Sequence, residues 1–71
     1  MEERQQLIRD CIRAAGGQTS VALDLGIKQQ SVFSWIEKGL VPAPRVRRVI
    51  HLAAAGGFLI DEVQLNPEVF Y

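Results

Sequence analysis

The fold is decided by one stretch of the chain, Gln18-Thr-Ser-Val-Ala-Leu-Asp-Leu-Gly-Ile-Lys-Gln-Gln-Ser-Val-Phe-Ser-Trp35. Apolar residues recur in it at helical spacing, and Gly26 interrupts that pattern. We therefore predict two short helices, over 18–25 and 28–38, joined by a sharp turn. Glycine suits such a turn because it adopts positive φ without steric cost. The small Ala22 would let the helices approach closely, and a wedge of apolar residues would fix their angle: Val21, Leu25, Ile27, Val32 and Trp35.

The spacing of these residues is typical of a helix-turn-helix. Counted from Gln18, alanine is fifth, glycine ninth, valine fifteenth and tryptophan eighteenth, and all four are the types expected there. Each position alone would be a weak signal, but their combination favours the motif. The alternative is a generic corner between two helices of a bundle.

The flanking segments are helical as well. Apolar residues at helical spacing predict one helix over 3–15, stopped by Gly16-Gly17, and another over 44–55, stopped by Gly56-Gly57. The apolar tail, 58–71, has no regular pattern beyond a possible turn at 61–65. The sequence predicts an all-α fold, a compact bundle of four to five short helices. We expect one domain over 1–71, with the helix-turn-helix at about 18–38.

Composition limits the possible functions. The 71 residues have a formal net charge of zero, which by itself is unfavourable for a nucleic-acid partner. The charges are unevenly placed, however, because residues 1–48 hold eight Lys or Arg and five acidic residues, whereas residues 49–71 hold three acidic residues and no Lys or Arg. A local electropositive face can therefore exist within a neutral whole. The chain shows no signal-peptide pattern and no apolar run that could span a bilayer, so we expect a cytoplasmic protein that avoids membranes.

The chain resembles the small Cro-like and Xre-type helix-turn-helix proteins of phages and prophages, including compact YdaS-like regulators. The resemblance is carried by the motif residues Gln18–Ala22, Gly26-Ile27 and Lys28–Trp35, by Gly39, and by the tail residues 65–70. It implies a lambda-repressor-like fold, a double-stranded operator DNA as partner, a homodimer at least on DNA, and repression of transcription. It also implies a bacterial host cell, where the protein would lie on the nucleoid when bound.

The tail departs from that family pattern at two positions. An arginine often precedes the proline, where this chain has Asn66, and a serine or threonine often starts the last helical turn, where this chain has Ile60. We therefore expect the last turn to be poorly capped.

The second helix of the motif would read bases in the major groove. Glutamine can bond adenine N6 and N7 together, lysine reaches guanine or phosphate, and a phenylalanine can pack on a thymine methyl. The alternative for Phe33 is packing in the core or in a dimer interface. The candidate base contacts are Lys28, Gln29, Gln30, Ser31, Phe33 and Ser34.

Phosphate contacts should flank the base contacts. The start of the first motif helix offers free backbone N–H groups and hydroxyls, and basic residues follow the second helix. The alternative is that the arginines form surface pairs with Asp24 or Glu37. The candidate phosphate contacts are Gln18, Thr19, Ser20, Lys38, Arg45 and Arg48.

No residues suggest catalysis, a metal or a cofactor. Cys11 falls on an apolar helix face and is expected to be a buried thiol, and His51 has no second ligand within one turn. We therefore expect neither an enzyme nor a small-molecule ligand. The apolar tail, with part of the preceding helix, could form a symmetric dimer. The second functional hypothesis is an antitoxin-like or regulator-binding interaction module that uses the same fold and tail.

Overall fold

The computed structural model describes the backbone of residues 2–70 and the side chains of residues 2–68; the predictions for the side chains of Val69 and Phe70 and for Tyr71 lie outside this part. Every regular element within residues 2–70 is helical, which confirms the predicted all-α class. The elements are α1 Glu2–Ala14, α2 Gln18–Leu25, α3 Gln29–Lys38, α4 Ala43–Ala55, α5 Glu62–Leu65 and α6 Pro67–Phe70.

The predicted boundaries are close to those observed. The range of α2 is as predicted, whereas α1 and α4 each begin one residue earlier than expected and α1 also ends one residue earlier. Lys28 was predicted as the first residue of α3 but is its extended N-cap, with φ −76° and ψ 144°. The tail is more regular than predicted, because α6 follows α5 after a single residue, Asn66.

The turn between α2 and α3 takes the predicted conformation. Gly26 is left-handed, with φ 69° and ψ 34°. This conformation lets the Ile27 amide donate to the Ala22 carbonyl at 3.0 Å, which closes the end of α2. Ala22 is buried at the contact between the two helices. Three residues thus separate the two helices, and α3 packs directly against α2 as a helix-turn-helix.

One apolar core joins the four longer helices to the tail. Its members lie on the predicted helix faces, with three further contributions from the linker before α4 and from the tail. These fourteen buried side chains are Ile8, Cys11, Ile12, Val21, Ala22, Val32, Trp35, Ile36, Val41, Val46, Val49, Ala53, Ile60 and Leu65. Burying such side chains is the main favourable contribution to folding in a chain without a disulfide.

Two hydrogen bonds connect the tail to the linker before α4. The Val41 amide donates to the Leu65 carbonyl at 2.9 Å, and Asn66 Nδ2 donates to the Val41 carbonyl at 2.9 Å. Asn66, one of the two departures from the family pattern, is thus a buried link between tail and linker.

The expectation of a poorly capped last turn is wrong. Asp61 Oδ1 accepts from the Gln64 amide at 2.9 Å, and Gln64 Oε1 accepts from the Asp61 amide at 3.0 Å. This is a capping box, which satisfies two otherwise unpaired backbone donors. The cap is supplied by the residue after Ile60, so Ile60 is free to enter the core.

Within residues 2–70, no helix combines the length and the apolar character needed to cross a bilayer.

Candidate nucleic-acid interface

One side of α3 is buried and the opposite side faces solvent. Val32, Trp35 and Ile36 form the buried side. The predicted base contacts Lys28, Gln29, Gln30 and Ser31 are exposed, and Ser34 is half-buried. The polar side chains at the beginning of α3 are therefore directed away from the core.

Phe33 lies on the exposed side of α3 with 49% of its surface accessible. Packing in the core, one of the alternatives considered for it, is therefore wrong. Contact with a thymine methyl and contact with a second copy both stay predictions.

Two open grooves on this surface meet at Gln30. One groove, of about 240 Å³, is lined by Gln18, Gln29, Gln30 and Phe33, and therefore joins the start of α2 to the start of α3. The other, of about 440 Å³, runs along α3 to the linker before α4 and is lined by Lys28, Gln30, Ser31, Ser34, Trp35, Lys38, Leu40 and Pro42. The structure thus brings eight of the twelve predicted contact residues onto one continuous surface.

The start of α2 has unpaired backbone donors. Its N-cap is Gly17, which has no side chain to cap the helix. The amides of the first helical turn are left without intrahelical partners, which is favourable for an anion. Thr19 and Ser20, the predicted hydroxyl contacts, are exposed on this turn. The backbone and side chains at the start of α2 are therefore suitable for binding a phosphate.

The three predicted cationic phosphate contacts have different surroundings. Lys38 is exposed at the end of α3, and Arg45 is half-buried in the first turn of α4. Neither forms an ion pair with a residue in the described part of the chain. Arg48 does: its Nε donates to Asp24 Oδ1 at 2.8 Å and its Nη2 to Asp24 Oδ2 at 3.2 Å. This is the surface pair considered as the alternative for Arg48.

The Asp24 carboxylate also raises the pKa of Arg48 through its hydrogen bond and its charge. The pair joins the end of α2 to the middle of α4, so Arg48 contributes to the arrangement of the two helices.

Sequence reasoning missed two arginines beside the start of α2. Arg9 and Arg13 of α1 line a depression of about 260 Å³ together with Gly17, Gln18, Ile12 and Ile36. They are four residues apart and thus share a helix face, and the Gly16-Gly17 turn brings the next helix back beside them. The i, i+4 spacing was the available signal, but the sequence alone did not show which helix this face would meet.

Other chemically interesting side chains are not assembled into a site. Within the described residues, no group of three or more His, Cys, Asp or Glu side chains could hold a metal ion. Cys11 is fully buried, as predicted, and burial raises the pKa of its thiol to about 11. This thiol is therefore neutral near pH 7.

The fold and its exposed polar helix define a small all-helical protein with a helix-turn-helix. The family model described as bacterial toxin YdaS matches residues 8–71, and the chain belongs to this family. Neither the curated proteins nor the solved structures gave a significant match.

Proposed function

We propose that this protein is a sequence-specific DNA-binding transcriptional regulator, a Cro-like repressor of a phage or prophage, that inserts α3 into the major groove of operator DNA. The observation that carries the proposal is the groove formed by Gln18, Gln29, Gln30 and Phe33. It brings the start of one motif helix, suited to a phosphate, beside the start of the next, suited to bases. This juxtaposition matches the way a helix-turn-helix contacts a duplex.

The exposed side chains at the start of α3 have the chemistry for base recognition. Each glutamine carries a donor and an acceptor, which together match the N6 and N7 edge of adenine. Lys28, at the N-cap, can reach guanine or a nearby phosphate. Ser31 can donate or accept, and the exposed ring of Phe33 matches a thymine methyl.

Phosphates would be bound on both sides of the base contacts. On one side lie the free amides of α2 with Gln18, Thr19 and Ser20, together with Arg9 and Arg13. On the other side lie Lys38 and Arg45. Arg48 can join them only if phosphate displaces it from Asp24. The net charge of zero predicts weak attraction to random DNA, so affinity would depend on base contacts and on pairing of subunits.

A dimer would be required to read an operator of ordinary length. The chain measures 28 × 23 × 21 Å, whereas successive half-sites on one face of a duplex are about 34 Å apart. One copy therefore reaches one half-site. The exposed apolar residues of the tail, Leu59 and Val63, are the proposed contact between copies.

In this proposal the protein acts by binding alone, and it catalyses no reaction and uses no cofactor or small-molecule ligand. The protein would act in the cytoplasm of a bacterial cell, on the nucleoid.

The second candidate is an interaction module that binds a toxin or another regulator through its tail. It is favoured by Leu59, which is 86% exposed. The description of the family as a bacterial toxin predicts that overproducing the chain arrests growth. Growth arrest on overproduction is compatible with either candidate, because a repressor can shut off a host promoter. Replacing Gln29 and Gln30 together by alanine separates them: growth arrest caused by DNA binding should disappear, whereas arrest caused by the tail should persist.

The test of the main proposal is selection of bound sites from random duplex DNA, followed by a salt titration on the selected site. We expect a pseudo-palindromic site, and an affinity that falls with salt at a slope near −0.9 for each phosphate contacted, with about three to five contacts per subunit. A shallow slope with no preferred sequence would favour the interaction module.

A further inference from the structure

The C-terminal end of α3 is held by two side chains of α1. Arg4 Nε donates to the Gly39 carbonyl at 3.0 Å, and Gln5 Nε2 donates to the Glu37 carbonyl at 2.8 Å. The last carbonyls of a helix have no intrahelical partners, so these bonds satisfy acceptors that would otherwise need water. The guanidinium charge also favours the negative end of the helix dipole.

The backbones approach closely at this contact. A Cβ atom at Gly39 would lie 2.8 Å from Arg4 Cβ, which is too short for two carbon atoms. Gly39 is also left-handed, with φ 75°. Glycine therefore serves two purposes here, since it ends α3 and leaves space for the Arg4 side chain.

These two hydrogen bonds constrain α3 in a different way from the packing of its buried side. Val32, Trp35 and Ile36 pack against the core through contacts that have little directional preference. Hydrogen bonds do have a direction, so the bonds to the Glu37 and Gly39 carbonyls restrict how the C-terminal end of α3 can shift or turn against α1. The glutamines that would read bases lie at the other end of a ten-residue helix, about 15 Å away.

We propose that Arg4 and Gln5 are positioning residues for base recognition, which set the angle at which α3 enters the major groove without themselves touching DNA. This inference rests on the DNA-binding function proposed above. Both residues precede the matched segment 8–71, so the family match says nothing about them. Arg4 Nη2 is enclosed and has no hydrogen-bond partner among the described residues, so it is not presented to a phosphate.

Loss of either hydrogen bond should lower DNA affinity by changing how often α3 adopts the orientation that fits the major groove. If α3 samples several tilts, only the fraction with the correct tilt is competent to read bases, and the apparent affinity falls by that fraction. Random DNA is bound through phosphates and is less sensitive to the tilt of α3. The expected signature is therefore a lower ratio of specific to random affinity, with an unchanged salt slope.

The experiment compares Gln5→Met with Gln6→Met. The substitutions are chemically identical and adjacent, but the Gln6 side chain forms hydrogen bonds only within α1: it donates to Asp10 Oδ1 at 2.8 Å and accepts from Arg9 Nη1 at 3.3 Å. The DNA probes are the site selected by the wild-type chain and a scrambled duplex. Trp35, the single tryptophan, is buried on α3 and its carbonyl accepts from the Gly39 amide at 2.9 Å, so its fluorescence reports on this end of the helix.

For Gln5→Met we expect specific affinity to fall about three- to tenfold, the range spanned by one hydrogen bond, with random affinity within about twofold of wild type. The Trp35 emission should shift as well. Gln6→Met should leave the Trp35 emission and the ratio of specific to random affinity unchanged, because any effect through Arg9, a proposed phosphate contact, falls on both affinities alike. Arg4→Met should resemble Gln5→Met, and Arg4→Lys should recover much of the loss, because its ammonium can still donate to the Gly39 carbonyl. Thermal unfolding confirms that each variant is folded, and Gln5→Glu replaces Gln5→Met if the latter is not.

A Gln5 variant that is folded and less stable, yet keeps the wild-type ratio of specific to random affinity, would overturn the inference and leave the DNA-binding function intact. A wild-type chain that selects no sequence would overturn the proposed function, and this inference with it.

Discussion

The guanidinium of Arg48 on α4 is bound by the carboxylate of Asp24 on α2 through two hydrogen bonds, of 2.8 and 3.2 Å. About half of the Arg48 side chain is still accessible. The contact neutralises a cation that the sequence predicted as a phosphate contact. In the proposed DNA complex, the Asp24 carboxylate would compete with DNA phosphate for this guanidinium.

Asp24→Asn should strengthen binding to random duplex DNA. The neutral amide holds Arg48 less tightly, and a released guanidinium can take one more phosphate. The slope of log affinity against log salt should then become steeper by about 0.9, as for one added contact. Filter binding or fluorescence anisotropy at four or more salt concentrations measures both quantities.

The matched control is Glu62→Gln, which removes the same amount of negative charge. Glu62 lies 3.6 Å from Arg47, whose side chain is 87% exposed, so releasing Arg47 changes little. If both variants strengthen binding equally and leave the slope unchanged, Asp24 acts only through the net charge.

Gln30→Ala should lower specific affinity by about 1–3 kcal/mol and relax the preference at one base pair. Gln30 lines both grooves, whereas Gln29 lines only one, so replacing Gln30 should lower specific affinity more than replacing Gln29. Binding to a selected site, and to variants of it changed at single base pairs, measures the effect.

Arg45→Ala provides the comparison, because a phosphate contact should weaken all sequences alike. The assignment of base contacts is wrong if both substitutions lower specific and random affinity by the same factor.

The sequence predicted the helix-turn-helix well because short-range rules determine it. Gly26 and Ala22 specify a turn whose neighbours are all within a few residues, and amphipathic spacing shows which sides of α2 and α3 are buried. The exposure of Lys28, Gln29, Gln30 and Ser31 was therefore predictable from the same pattern.

Contacts between distant segments could not be predicted in this way. Nothing local in the sequence brings Arg4 to Gly39 or Asn66 to Val41, since those bonds depend on how whole helices pack. The capping box of α5 differs from these contacts, because Asp61 and Gln64 have the required spacing in the sequence and the box is therefore predictable from it.

Leu59→Ser should lower the fraction of dimer without unfolding the protein. Leu59 is 86% exposed, so its removal costs little within one copy but would remove an apolar contact between copies. Sedimentation velocity over a range of concentrations measures the change. Deleting the tail is a poorer test, because Ile60 and Leu65 are buried in the core and the truncated chain would lose them.

Leu23→Ser is the matched control, as Leu23 is 79% exposed but belongs to α2. The tail is not the dimer contact if the Leu59 variant sediments like wild type, and α2 would be the better candidate if only the Leu23 variant dissociates.

Gly56→Ala should destabilise the fold more than Gly57→Ala. A Cβ atom at Gly56 would overlap the Ala14 carbonyl oxygen, so α1 and the end of α4 would have to separate. Gly57 has φ 87° but open space around its Cβ position, and an alanine there costs only about 1–2 kcal/mol of backbone strain. Urea unfolding followed by circular dichroism gives both values, and an equal loss would show that α1 moves easily.

The buried thiol of Cys11 should make the protein less stable at alkaline pH. Burial raises its pKa from the ordinary 9.0 to about 11 in the folded protein. Between pH 9 and 11 the unfolded chain therefore loses a proton that the folded protein keeps, which favours unfolding as the pH rises. Below pH 9 the thiol is protonated in both states and has no effect. By pH 11 the free energy of unfolding should have dropped by about 2–3 kcal/mol on this account.

Cys11→Ala removes the titrating group, so its stability should change less over the same pH range, although the smaller side chain lowers stability at every pH. Urea unfolding at pH 8, 9, 10 and 11 measures both proteins. The difference between the two curves is the informative quantity, because every other ionisable group is common to both proteins. Parallel curves would mean that the thiol reaches solvent in the folded protein, and that the contact between α1 and the core is looser than the full burial of Cys11 indicates.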